Sequence, residues 1–153
     1  MKMSMQVCLS DTRPTDRTAD DRPHSNRALV LDAMTSLFQR HDVSAVGSLY
    51  ADDDLQHNPN IPRGRDGVQA IVETLSPSVY YQPGLIVAEG DLVAIHGRIR
   101  GWADEPRIGV GIFRVEGGKL AEHWDSLQNE VPVSTGVAGL SMFDPEDGAS
   151  HAG

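Results

Sequence analysis

Cysteine is nearly absent from this chain. Cys8 stands alone among 153 residues, so no disulfide can close within the chain. A thiol count of one fits a reducing compartment, and a cytoplasmic location is expected. Long apolar runs are missing as well. The opening MKMSMQVCLS has a single lysine and no apolar core of about seven residues, so no secretory signal is read there. No stretch approaches the ~20 apolar residues that cross a bilayer. Basic residues are few: 13 Lys and Arg against 22 Asp and Glu give a formal net charge of −9. A surface of that sign repels phosphate backbones and anionic lipid, which excludes nucleic acid and membrane as expected partners. Aromatic residues make up only 5%, too few for a base-stacking surface.

What is present is an ordinary globular composition, 39% hydrophobic and 23% charged. A chain of this length buries roughly two thirds of its unfolded surface, enough for one core with a cavity. Residues 1–24 hold Thr, Asp, Arg, Pro and Ser without periodicity and read as a disordered leader. Residues 25–131 form the expected domain. Residues 132–153 are a tail rich in Gly, Ser, Asp and Ala, whose Leu140, Met142 and Phe143 form a small apolar cluster able to dock on the body or on a partner.

Within the domain, helices precede strands. Val30, Met34, Leu37, Phe38 and His41 recur at steps of three and four, which predicts an amphipathic helix over residues 26–41, capped by Ser25 or Asn26. A short second helix is expected over residues 43–50 behind Asp42, with Val46 and Leu49 or Tyr50 inward. Asp66 is the expected N-cap of a third helix with Val68, Ile71, Val72 and Leu75 on one face. From Tyr80 the period becomes two. LIVA (residues 85–88) meets LVAI (residues 92–95) across Glu89-Gly90-Asp91, and residues 108–115 meet 119–128 across Glu116-Gly117-Gly118. The class is therefore α+β, helices followed by about four antiparallel strands. Near-continuous apolar runs imply strands covered on both faces. One cover is the helices; a second copy of the chain is the economical candidate for the other.

Two stretches carry candidate chemistry. In ADDDLQHNPNIPRG an imidazole, His57, stands beside the carboxamide of Asn58, and two prolines stiffen the backbone around them. In KLAEHWDSLQ, alternation places Ala121, His123, Asp125 and Leu127 on one face and Leu120, Glu122, Trp124 and Gln128 on the other. If the first face looks into a helix-covered cavity, Asp125 is partly desolvated, the setting in which a carboxylate serves as general base. The competing reading places Asp125 at a rim, paired with an arginine. His96 shares a face with Leu92, Ala94 and Arg98 and reads equally as a structural histidine. Other motifs are poor: Gly109-Val110-Gly111 opens no helix, DPEDG lacks calcium-ligand spacing, and His57, His96 and His123 form no metal-binding spacing. No metal is expected.

YADDDLQHNPNIPRGRDG, EGDLVAIHGR, GIFRVEGGKLAEHWDSLQNEVP and SMF together resemble the SnoaL-like proteins of the nuclear transport factor 2-like superfamily. The resemblance runs from about residue 26 to 143. It implies a cone-shaped roll, helices on a curved antiparallel sheet around a pocket, with a homodimer through the sheet's outer face. It also implies polyketide cyclase activity of the aldol-condensation type without metal or organic cofactor. Asp125 takes the acid/base role by that resemblance, with His57 beside it. Asn58, His96, Tyr50, Phe38, Gly111 and His123 are the implied substrate-binding positions. One departure is visible: many relatives carry a polar Asp or His at the position held here by Gly111, so the usual partner of the carboxylate is missing, and Gly109 on the same face hollows the wall further.

Three functions follow as expectations. The first is a cofactor-independent enzyme removing a proton beside the carbonyl of an apolar small molecule. The second is an epoxide hydrolase of the same superfamily, for which Arg98 is a candidate bridge between carboxylates. The third is a non-catalytic dimeric protein that binds an apolar metabolite.

Overall fold

The computed structural model describes residues 22–144. Cys8 and most of the expected leader lie outside them, but Arg22, Pro23 and His24 already belong to the first helix, α1 (Arg22–Phe38). Val30, Ala33 and Leu37 of α1 are fully buried, as the three-and-four spacing requires. The helix ends three residues before the expected 41 because His41 takes a left-handed conformation (φ 52°), which no right-handed helix accommodates. The His41 ring then anchors the turn through Nε2 to the Val79 carbonyl at 2.8 Å.

Asp42 caps the next segment as expected, accepting from the Ser44 amide at 3.0 Å. That segment is a 3₁₀ turn (Val43–Ala45) followed by α2 (Val46–Leu49), and the chain then extends into β1 (Tyr50–Gln56). The strand was not foreseen, since YADDDLQ is poor in strand formers. Its partner supplies what propensity does not: β1 lies parallel to β5 (Lys119–Asn129), with Gln56 opposite His123. Asp52 is held at the surface by Arg65 at 2.5 Å. The third helix, α3 (Arg65–Thr74), is capped by Gly64 (φ 84°); Asp66 stands in its first turn, where a negative charge complements the helix dipole.

β2 (Tyr80–Glu89), β3 (Leu92–Arg100), β4 (Arg107–Glu116) and β5 form the expected antiparallel meander. The sheet order is β1-β5-β4-β3-β2, so the sheet is mixed rather than purely antiparallel, and it does not close. Glu116 pairs Lys119 across Gly117 (φ 58°) and Gly118 (φ 75°), a two-residue turn of left-handed residues that only glycine adopts without strain. The core fills the space between the helices and one face of the sheet: Leu37, Val46, Val93, Ile95, Phe113 and Leu120 are each at most 2% exposed. The other face stays largely open in the single chain. Leu85 is 57% and Val87 67% exposed, and Leu92, Val110 and Ile112 are exposed beside them. Phe143 covers one part of that face: its ring is 2% exposed and lies 4.5 Å from the Arg98 guanidinium and 5.7 Å from the His96 ring. The tail cluster thus docks on the body through Phe143, while Leu140 remains exposed. Among the described residues no helix is long and apolar enough to cross a membrane.

Candidate active site

Between the helices and the sheet lies a cavity of about 150 Å³. Engineered cavities of that size admit one aromatic ring. Its walls are mostly apolar: Met34 and Phe38 of α1, Val68 and Ile71 of α3, Ile95, Ile99 and Phe113 of the sheet, with Trp102 from the β3–β4 connection. Phe38 and Trp102 lie 6.2 Å apart, tilted at 56°.

Alternation on β5 sends His123, Asp125 and Leu127 into this cavity and Glu122 and Trp124 away from it. The Asp125 side chain is 15% exposed. Asn58 Nδ2 donates to both of its oxygens, at 2.9 and 2.8 Å. Asn58 is itself fixed, because its Oδ1 accepts from the Asn60 amide at 2.8 Å in an Asx turn. The prolines of the HNPNIP segment therefore stiffen a loop whose business is to aim one carboxamide at one carboxylate.

The nearest titratable neighbour of Asp125 is His123, whose Nε2 lies 3.9 Å from Oδ2. The Gln56 carboxamide donates to the Asp54 carboxylate, which turns the Gln56 carbonyl toward His123; Nδ1 of His123 donates to it at 2.9 Å. The remaining nitrogen, Nε2, then carries a lone pair on the cavity side. Burial pushes the His123 pKa down from the ordinary value, against the pull of the Asp125 charge, so the ring is neutral at neutral pH. It stacks on Phe113 at 4.5 Å. Asp54 at the far end of the chain is fully buried, with Oδ1 unpartnered, and burial raises its pKa.

Of the expected site residues, Asp125, Asn58, Tyr50, Phe38, Gly111 and His123 all line the cavity. His57 and His96 do not. With Gln56 facing inward, the next residue on an extended chain faces outward. The His57 amide donates to the His123 carbonyl at 2.9 Å, and the ring stacks on Trp124 at 4.8 Å with Nε2 2.8 Å from Glu122 Oε1. Its side chain is 47% exposed. His96 shares the outer face with Arg98, which pairs with Glu130. Arg98 is therefore not placed to bridge carboxylates in the cavity. The glycine wall also differs from expectation. The space beside Gly97 and Gly109 is taken by Tyr81 and Leu127, since a Cβ there would stand 2.1 and 2.2 Å from their atoms. A side chain at Gly111, opposite Asp125, would press on Phe113 at 3.2 Å and come into ordinary contact with His123 Nε2 at 3.5 Å. His123 occupies the neighbourhood that a polar residue at 111 would enter.

Among the lining residues that sequence reasoning did not assign to the site are Gln56, Tyr81, Trp102 and Arg107. Alternation from Gly111 back through Gly109 would have put Arg107 on the same floor. The Tyr81 hydroxyl rests over Gly97. Burial pushes the pKa of Tyr81 and of Tyr50 upward, the Asp54 charge adding to the effect at Tyr50, so both phenols stay protonated hydrogen-bond donors.

Solved structures share this architecture at low identity. IdmH from Streptomyces antibioticus, described as a candidate polyketide cyclase, is 20% identical, with a TM-score of 0.56 over 67% of this chain and 91% of its own. A candidate ketosteroid isomerase from Kribbella flavida is 20% identical, with a TM-score of 0.62 over 70% and 80%. An LEH-like epoxide hydrolase from M. tuberculosis is 18% identical, with a TM-score of 0.58 over 69% and 80%. These likenesses establish the fold and leave the reaction open. No protein of curated function matches the chain. The model of the SnoaL-like domain matches residues 31–123, ending two positions before Asp125. By that match and by its architecture, the chain belongs to the SnoaL-like domain family of the nuclear transport factor 2-like superfamily.

Proposed function

We propose that this protein is a cofactor-independent enzyme of the cyclase or isomerase type, acting on a small apolar molecule that carries a carbonyl group. The observation that carries the reading is Asp125: one carboxylate in a mostly apolar cavity, aligned by Asn58 and beside the lone pair of a neutral His123. In the proposed step, Asp125 takes a proton from the carbon next to the carbonyl. The electron pair moves onto the carbonyl oxygen, which accepts hydrogen bonds from a tyrosine hydroxyl, Tyr81 or Tyr50. In an aldol closure the enolate carbon then attacks a second carbonyl of the same molecule, a carbon–carbon bond forms, and Asp125 returns its proton to the new alkoxide. In an isomerisation the proton goes back to a different carbon. A base positioned in this way contributes about 10²–10⁴-fold. The epoxide hydrolase reading has less support, since Asp125 is the one acidic side chain among the cavity's lining residues and Arg98 lies on the opposite face.

We also propose that two copies pair through the outer face of the sheet, in the cytoplasm. The exposed Leu85, Val87, Leu92, Val110 and Ile112 support this, because such a strip of apolar side chains is costly to leave in water.

Deuterium uptake beside the carbonyl of cyclohexanone in D₂O, followed by proton NMR, tests the chemistry directly. The protein should accelerate exchange above buffer, and Asp125→Asn should return it to the buffer rate with an unchanged melting temperature. An Asn variant as fast as the parent chain would remove Asp125 from the mechanism. No acceleration with cyclohexanone or with 2-tetralone would leave the non-catalytic binding reading in its place.

A further inference from the structure

Arg107 opens β4 immediately after the β3–β4 connection and lines the cavity together with Trp102. In the sheet it stands between Ile99 of β3 and Asn129 of β5, over the interior of the strand array rather than at an edge. Its Nε is buried and has no hydrogen-bond partner, and no ion pair or hydrogen bond involves its side chain among the described residues. The contrast with its neighbours is instructive. Arg98 pairs with Glu130, Arg114 with Glu116 and Glu122, Arg65 with Asp52, and Arg40 with Asp32. In a chain with a net charge of −9, carboxylates are plentiful, yet among the described residues none reaches this guanidinium.

The buried Nε of Arg107 is left without an acceptor, a cost that an anion entering the cavity would remove. Its planar fork matches a carboxylate, which accepts two parallel N–H bonds. The anion cannot be Asp125. Arg107 and Gly111 are four residues apart on β4, and Gly111 is paired with Asp125, so about 13 Å of strand separates the two charges before side-chain reach is subtracted. That gap is spanned by a single ring bearing one substituent at each end.

We infer that Arg107 is the binding site for a carboxylate on the substrate, so that the molecule accepted here is an apolar keto acid, its carbonyl end toward Asp125 and its acid end toward Arg107 and Trp102. The ketone half of this assignment rests on the proposed function, and the carboxylate half stands on Arg107 alone. An acid end held at one side of the cavity also fixes which carbon meets Asp125, so the arginine sets regiochemistry as well as affinity.

The test is binding, read by quenching of tryptophan fluorescence and by calorimetry, with 4-oxocyclohexanecarboxylate, its methyl ester and cyclohexanecarboxylate as probes. Both carboxylates should bind the parent chain about tenfold or more tighter than the ester. Arg107→Gln should abolish that preference, and Arg107→Lys should retain part of it. Equal binding of the keto acid and its ester by the parent chain overturns the inference without requiring any variant to fold. So does a preference that survives in Arg107→Gln. Binding of both carboxylates through Arg107 with no deuterium exchange in any ketone would uphold this site while refuting the proposed chemistry, so the two failures are distinguishable.

Discussion

The two faces of one sheet carry similar residues to different ends. On β5, His123 and Asp125 point inward and Glu122 and Trp124 outward. Inside, the acid is held by one carboxamide and the imidazole is stripped of water, so its protonation state is set by the protein. Outside, His57 has the same ring and a carboxylate at 2.8 Å, but half of its surface is open to solvent. Glu122 there is bound first by Arg114, which lowers its pKa more than His57 does. The pair His57–Glu122 looks as much like a catalytic dyad as Asp125–His123. The difference lies in what surrounds them: an open cavity beside Asp125, and a network of Arg114 and Glu116 that ties up Glu122. A polar pair can act as a reagent where it faces a cavity and stays a strut where its partners are already engaged.

That contrast can be broken in order of effect. The largest change is expected for Asp125→Asn, which should slow deuterium exchange by about 10²–10⁴-fold without altering the melting temperature. The mirror experiment on the outer face is His57→Ala: exchange should stay within about twofold of the parent, and a hundredfold loss there would erase the distinction between the faces. Phe143→Ala should lower unfolding free energy in urea by about 3 kcal/mol, because its ring is buried against Gly84 and Arg98, while exchange is unaffected. Ile112→Lys on the apolar strip should shift the sedimenting species from dimer to monomer with the cavity chemistry retained; an unchanged sedimentation coefficient would count against the outer face as the contact.

The smallest effect is a pH slope. His123 has a folded pKa below its unfolded value of about 6.5, because burial disfavours the charged ring. As pH falls below 6.5 the unfolded chain takes up the proton first, so stability declines from there and levels off only below the folded pKa. Urea midpoints measured between pH 7 and pH 5 should therefore fall more steeply for the parent chain than for His123→Gln. Parallel slopes would mean that the ring is not desolvated.

Much of this was legible in the residues. Three helices, two hairpins, the Asp42 cap and the inward face of β5 follow from spacing and turn glycines, which act over a few residues. β1 was hidden because its pairing partner lies some seventy residues away and its three aspartates argue locally against a strand. His57 was misplaced for a related reason: QHNP marks a site, but which of its neighbours points inward depends on the phase of β1, and a strand not foreseen has no phase. Within the same motif Asn58 faces the cavity and His57 faces outward. Arg107 was overlooked although its alternation with Gly109 and Gly111 was in view, because nothing in a sequence tells a paired arginine from an unpaired one.

The sequence by itself determined three helices and four of the five strands, the sign of the surface and the side of β5 that carries an acid, since these depend on composition and on periods of two and about three and a half residues. Only the tertiary structure decided that Asn58 rather than His57 meets Asp125, that His123 stands beside Gly111, and that Arg107 has no carboxylate partner among the described residues. Each of those is a matter of distance between parts of the chain remote in sequence, and charge and hydrogen bonding act through distance in space.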